Sequence, residues 1–246
     1  MAAAAEPSRR IGLARALSKL GYCSRSQGFE LIRNGRVRLN GNVARNPEAP
    51  VHLERDRIEV DQASVPSAEK IYLMMNKPRG LVTSAADEKG RETVYSLLPR
   101  DLPWVAPIGR LDKASEGLLL FTNDSEWGAR MLAPESHLDR NYHVQIRAQA
   151  DDSLFHRLMR GVRTESGLLL SAKRVTSVRH GKTNSWIEIV LDEGKNRHIR
   201  RMLEGAGIEV MRLVRIAIGD LKLGDLPKGR VRPLTPEERG LLDENG

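Results

Sequence analysis

Gly109-Arg110-Leu111-Asp112-Lys113-Ala114-Ser115-Glu116-Gly117-Leu118-Leu119-Leu120-Phe121-Thr122-Asn123-Asp124, GRLDKASEGLLLFTND, sets an arginine and a carboxylate two residues apart just ahead of an apolar run. The run Leu118–Phe121, entered through Gly117 and closed by Thr-Asn-Asp, reads as a short buried strand. Asp112 therefore sits on a loop leading into a core strand, where a rigid scaffold can hold a side chain still. A loop carboxylate taken alone reads equally as a solvated or turn-forming group, so the decision passes to the rest of the chain.

Outward from this stretch, strands are predicted at Ile71–Met75, Ala106–Ile108, Tyr142–Arg147, Ala172–Val178 and Ser185–Leu191, besides Gly117–Phe121. Helices are predicted at Glu126–Leu132, Asp151–Arg160 and Asn196–Gly205. Strands dominate and the helices are scattered, which is the pattern of an α+β mixed sheet. The segment after Arg232, with Pro233 and Pro236, reads as a C-terminal tail over residues 233–246, either a short helix or loose.

The N-terminal quarter has a different character. Apolar residues at Ile11, Leu13, Ala14, Leu17 and Leu20 follow helical spacing until Gly21. Ser24 is placed to cap a second helix, with Gln27 three residues on completing a capping box and Phe29, Leu31 and Ile32 facing inward. Asn34-Gly35 turns the chain into a hairpin in which Val37 and Leu39 alternate with Arg36 and Arg38 up to Asn40-Gly41. A strand near Arg57–Val60 closes the unit, and the polar stretch over residues 62–70 reads as a linker. Residues 1–9, with four alanines, read as a disordered tail.

Composition narrows the class. The 246 residues carry a formal charge of +8, and residues 1–60 hold eleven Lys or Arg against six Asp or Glu, so +5 of it lies in the first quarter. Such asymmetry favours a polyanionic partner, nucleic acid before membrane. Cys23 is the only cysteine, so no intramolecular disulfide forms and a reducing, cytoplasmic compartment is expected. The start carries neither the basic leader nor the apolar core of a secretory signal, and no 18-residue apolar run is present. The six histidines show no zinc spacing, and neither a phosphate loop nor a dinucleotide fingerprint occurs. An enzyme of this composition is expected to need no cofactor and no metal.

A second basic segment, Asp192-Glu-Gly-Lys-Asn-Arg-His-Ile-Arg-Arg-Met-Leu203, gives on a helix an apolar stripe of Ile199, Met202, Leu203 and Ala206. Arg197 and Arg201 lie opposite, as a solvated face would. Arg200 falls on the border, from which its guanidinium can turn inward.

The N-terminal text ARALSKLGYCSRSQGFELIRNGRVRLNGNVARNP…DRIEVD resembles the RNA-binding domain first seen in ribosomal protein S-four, over residues 10–61. That resemblance implies binding of structured RNA by Arg25, Arg33, Arg36 and Arg38. Behind it, NKPRGLVTS, PIGRLDKASEGLLLFTND, NYHVQI and EGKNRHIRRML, in this order, are similar to the RsuA/RluB type of ribosomal RNA pseudouridine synthase. The similarity spans about residues 10–232, with the catalytic domain at 71–232. It implies a mixed, mainly antiparallel sheet split around a central cleft and flanked by helices. It implies a ribosomal RNA substrate, small- or large-subunit, handled by a monomer without an obligatory protein partner. By the same resemblance the catalyst is Asp112, its cationic partner Arg200, and the residue packing against uracil Tyr142. Arg110 is expected to contact RNA or brace the loop, Leu111 and Leu203 to floor the site, and Lys195 and Arg197 to bind RNA.

The residue chemistry reads the same way. Converting uridine to its C-glycoside isomer needs no redox step, in keeping with the missing cofactor motifs. A carboxylate is ionised at neutral pH and can attack the anomeric carbon or assist departure of uracilate; the sequence leaves both routes open. The target base has to leave its stack to be reached. Two departures from the family pattern stand out: Arg140-Asn141-Tyr142 where Lys-Thr-Tyr is usual, and His198 where the family has glutamine. The rival readings are a non-catalytic RNA-binding or ribosome-assembly protein that retains the fold, and a DNA-binding regulator, which the Gly-Arg-Val hairpin does not fit.

Overall fold

The computed structural model describes residues 10–243, so the tail expected over residues 1–9 lies outside the described residues. Packing divides the chain into two units. One comprises the chain up to Ile71 with Pro99–Ala106 and Thr122–Ser125; the other comprises Tyr72–Leu98, Pro107–Phe121 and Glu126 onward.

The first unit runs β1 (Ile11–Gly12), α1 (Leu13–Lys19), α2 (Arg25–Arg33), β2 (Val37–Leu39), β3 (Asn42–Ala44), β4 (Pro50–Val51), β5 (Ile58–Val60) and β6 (Ala63–Ser64). Ile11 and Gly12 pair with Val51 and Pro50, which is why α1 begins at Leu13 and not at Ile11. The box at α2 forms in both directions: Gln27 N–H donates to Ser24 Oγ at 3.1 Å, and Ser24 N–H to Gln27 Oε1 at 3.0 Å. Asn40 and Gly41, at φ 52° and 84°, make the tight turn between β2 and β3. The stretch expected to be a linker, 62–70, begins as a strand instead. Asp61 and Gln62 at φ 50° and 68° turn the chain so that Ala63 and Ser64 pair with Val60 and Glu59. Farther on, Asn123 binds Ile71 N–H (2.9 Å) and the Glu69 carbonyl (2.7 Å) within this unit.

The second unit runs β7 (Tyr72–Lys77), β8 (Ala106–Ile108), β9 (Glu116–Thr122), α3 (Ser125–Leu132), β10 (Arg140–Ile146), α4 (Asp152–Arg160), β11 (Val162–Arg163), β12 (Leu169–Leu170), β13 (Arg174–His180), β14 (Ser185–Leu191), α5 (His198–Gly205), β15 (Val210–Ile218), β16 (Leu221–Lys222), β17 (Val231–Pro233) and α6 (Pro236–Asp243). Its main sheet has the order β13-β14-β10-β15-β9-β7-β17. β13, β14, β10 and β15 pair antiparallel, as do β7 and β17, whereas β15 meets β9 in parallel through only Val214–Glu116 and Arg215–Gly117. Each side of this junction has its own core. One packs α4 and α5 on β10 and β14 through Leu158, Met202, Leu203, Val144 and Ile187. The other gathers Leu118, Leu120, Met74, Trp127, Met131 and Leu242.

All seven residues of β9 are buried, as the unbroken apolar run predicts for a central strand. Its entry depends on Gly117. This residue has φ +103°, and an added Cβ would stand 2.2 Å from the Arg215 carbonyl oxygen. Only glycine allows β15 to approach there. The segment expected as a tail is built into the fold: Leu242 of α6 is fully buried, and Trp127 Nε1 donates to Asp243 Oδ1 at 2.7 Å.

Candidate active site

The loop from Gly109 to Ser115 carries Asp112, and the first of the four motifs grips it. Lys77, fully buried at the end of β7, donates from Nζ to the carbonyls of Pro78 (3.0 Å), Asp112 (3.1 Å) and Ser115 (2.9 Å). Thr83 Oγ1 donates to the Leu111 carbonyl at 2.8 Å and accepts Leu111 N–H at 3.3 Å, and Gly80 N–H reaches the Lys113 carbonyl at 2.7 Å. This explains NKPRGLVTS physically: it fixes the backbone around Asp112 from the adjacent segment. Burial pushes the Lys77 ammonium down to about 8, opposed by the charges of Asp112 and Glu116.

The Asp112 side chain faces two guanidinium groups. Arg200 Nε lies 3.9 Å and Arg197 Nη1 3.8 Å from Asp112 Oδ2. Both are ion-pair distances and neither is a hydrogen bond. The carboxylate is thus held in positive potential with its oxygens untethered by either arginine. Arg200 is anchored elsewhere, its Nη2 donating to the Ala114 carbonyl at 3.0 Å. Burial, with the charges of Arg197 and Arg79 added, pushes Arg200 below the ordinary arginine range, and Asp112 opposes this. A guanidinium nevertheless stays protonated.

Arg197 corrects the helical-wheel reading. It was expected opposite the apolar stripe as an RNA contact, but α5 starts at His198, two residues later than predicted. Arg197 is its N-cap in the left-handed region at φ 49°, so helical periodicity does not govern its direction. Arg201 does point elsewhere, donating to Ser166 Oγ at 3.0 Å.

Asp112 and Arg197 border a pocket of about 370 Å³ within the second unit, in the size range of small-ligand sites, and Arg200 lies behind Asp112 outside its lining. Asp112, Arg110 and Ser115 come from the loop, Tyr142 and Arg140 from β10, Lys195, Arg197 and His198 from the 192–198 segment, and Arg215 from β15. Leu111, Ile199 and Leu213 supply apolar wall. Leu203, expected at the floor, does not line it; it is fully buried in the core beneath α5. Lys195 pairs with Glu193 at 2.7 Å. His198 is 3 % exposed, and burial holds its imidazole below the usual histidine range, so it is neutral at pH 7. Missed from the sequence were Lys77, Thr83 and Arg215, while Arg140 was noted as a departure from the family pattern without a role in the site. The first two sit in a motif singled out without a role, and Arg215 lies on a strand face that only the pairing register defines.

Of the four basic residues expected to meet RNA in the first unit, Arg25, Arg33 and Arg38 are exposed. Arg36 is exposed too but engages Asp61 along one guanidinium edge, Nη2 donating to Oδ2 and Nε to Oδ1 at 2.8 Å.

Residues 71–205 match the RNA pseudouridylate synthase family, and residues 11–58 match the S4 domain family. The chain belongs to the RNA pseudouridylate synthases. It is 36% identical over 227 residues to ribosomal large subunit pseudouridine synthase B of Bacillus subtilis, covering 92% of this chain and 93% of the relative. The synthase B of Yersinia pestis is 36% identical over 228 residues, covering 89% and 70%. A crystal structure of a pseudouridylate synthase superposes with a TM-score of 0.66 at 27% identity, covering 94% of this chain and 99% of the other. As a synthase of this family the protein is an isomerase with an N-terminal S4 domain, and its mixed, mainly antiparallel sheet is the family fold.

Proposed function

We propose that this synthase converts one uridine of large-subunit ribosomal RNA to pseudouridine, acting as a cytoplasmic monomer with Asp112 as its catalytic carboxylate. The observation that carries the reading is the placement of Asp112 Oδ2 between Arg200 and Arg197, 3.9 and 3.8 Å away, at the edge of a pocket also bordered by Tyr142. A flipped uridine seats its base against Tyr142, where ring stacking contributes roughly 1–3 kcal/mol, and presents its anomeric carbon to Asp112. The C1′–N1 bond breaks with its electron pair passing to N1, the base turns, and C1′ joins C5. The C5 proton is then lost and N1 gains one, so the isomerisation balances without a co-reactant. The names of the relatives support the large subunit as the source of the RNA.

The test is Asp112→Asn on a large-subunit RNA fragment, read by pseudouridine mapping and by affinity. Conversion is expected to be lost while RNA affinity changes less than about threefold, because the amide keeps the shape and loses the anionic oxygen. Multiple turnover by the Asn variant would remove Asp112 from the chemistry.

A further inference from the structure

Arg215 is the buried charge for which the chemistry above has no use. In the register of β15 it stands opposite Tyr142 on one side and Gly117 on the other. It lines the same pocket as Tyr142 yet is only 4 % exposed. Its Nε donates to the Leu118 carbonyl at 2.7 Å, whereas Nη2 is buried with no hydrogen-bond partner among the described residues. Arg140, lining the same pocket, donates to the carbonyls of Leu138 (3.0 Å) and Met131 (3.5 Å). Among the described residues neither arginine has a carboxylate partner. A buried guanidinium with donors unspent is costly unless something completes it.

Two parts of an RNA can do so. Phosphates run along the surface, within reach of exposed side chains such as Arg110 and Arg197. A guanidinium as enclosed as Arg215 meets only what enters the pocket, which is the base. Uracil offers acceptors at O2 and O4, and both gain negative charge once the glycosidic electron pair has passed to N1. A fixed cation there interacts more strongly with departing uracilate than with bound uridine, and this difference is what lowers a barrier.

We infer that Arg215 is a catalytic residue that donates from its guanidinium to one carbonyl oxygen of the flipped uracil and carries the charge of the uracilate as the C1′–N1 bond breaks. The inference rests on the proposed uridine isomerisation. Arg140 adds positive potential at the same end of the pocket. Tyr142 and Arg215, one register pair on adjacent strands, thus address the face and the edge of one base.

The experiment crosses a protein change with an atom change. Wild type, Arg215→Met and Arg215→Lys are compared on RNA carrying uridine, 2-thiouridine or 4-thiouridine at the target, in single turnover at saturating enzyme. Arg215→Met is expected to slow uridine conversion by about 10²–10³-fold, as loss of a transition-state donor does, with RNA affinity and its salt slope unchanged. Sulfur for oxygen at one of the two positions is expected to cost wild type about tenfold more than it costs Arg215→Met, the mark of direct contact, with no such difference at the other position. Equal sulfur effects in both proteins at both positions overturn the inference. So does a loss confined to affinity with a shallower salt slope, which would make Arg215 a phosphate anchor. If Arg215→Met does not fold, Arg215→Lys is read in the same cycle. Equal wild-type rates on all three RNAs refute the contact without any variant. Failure of wild type to convert uridine at all would instead sink the proposed isomerisation.

Discussion

Asp112 owes its placement to Lys77, Thr83 and Arg200, which hold the loop around it, and that makes single residues testable. Arg200 spans the Asp112 carboxylate and the Ala114 carbonyl with different nitrogens, a reach that a lysine point charge does not reproduce. Arg200→Lys is expected to cut the single-turnover rate at least tenfold. Arg201→Lys, whose parent bonds Ser166, is expected to stay within about twofold. If the two substitutions behave alike, the pairing is wrong. Lys77 yields a pH prediction. Its ammonium, held at about 8, satisfies three carbonyls as the cation and cannot do so as the neutral amine, which has two N–H donors. The rate is expected to be flat below about pH 7.5 and to fall through pH 8, and Lys77→Met to be slow with that limb absent. The stability sign is opposite. Because the folded-state value lies below the free-lysine value of 10.5, the folded protein binds fewer protons between about 8 and 10.5, and this group's contribution to stability rises with pH across that window. A rate that keeps rising to pH 9 would take Lys77 out of this role. Asp112, Tyr142, Arg110 and Arg200 were legible from the motifs that carry them. Lys77 and Arg215 were not, because a buried cation anchored on backbone carbonyls leaves no pattern in a linear text.

At the scale of elements, the run Leu118–Phe121 was read correctly because an unbroken apolar stretch has few other uses, and Ser185–Leu191 and α4 were legible for their clean periodicities. β15 escaped. Arg212 and Arg215 interrupt its apolar residues, and the register shift between Asn141 and Tyr142 leaves Ile216 without a Cα partner on β10, so the alternation changes phase within the strand. Yet β15 is the strand that joins both cores, since it pairs with β10 along most of its length and with β9 at two residues. The narrow parallel junction concentrates the demand on Gly117. Gly117→Ala places a methyl group against the Arg215 carbonyl at a positive φ, and the expected loss is about 2–6 kcal/mol, from backbone strain together with overpacking. Urea denaturation measures it. A loss below about 1 kcal/mol would show that β15 can move away from β9 at little cost. A variant that remains folded is expected to lose activity too, because a shift of β15 displaces Arg215 and the loop before β9 together.

At the scale of the whole molecule, the +8 charge is unevenly used, and the structure sorts what composition could only total. In the first unit Arg36 spends its charge on Asp61, where it secures the turn into β6, while Arg25, Arg33 and Arg38 stay exposed without a carboxylate partner among the described residues. Binding of an RNA strand releases counterions for each phosphate neutralised, so these three are separable from Arg36 by salt dependence. On a single strand, each phosphate that is no longer neutralised should lower the slope of log affinity against log salt by about 0.7. Arg25→Ala, Arg33→Ala and Arg38→Ala combined are therefore expected to flatten the slope by about 2. Arg36→Ala is expected to leave the slope nearly unchanged and to cost little stability, as loss of an exposed ion pair does. Chemistry in the saturated complex should be the same in all of them, because none of these residues lies in the unit that holds Asp112. An undiminished slope in the triple variant would mean that RNA lies elsewhere on the protein, and a flattened slope in Arg36→Ala would mean that RNA displaces Asp61 from its arginine.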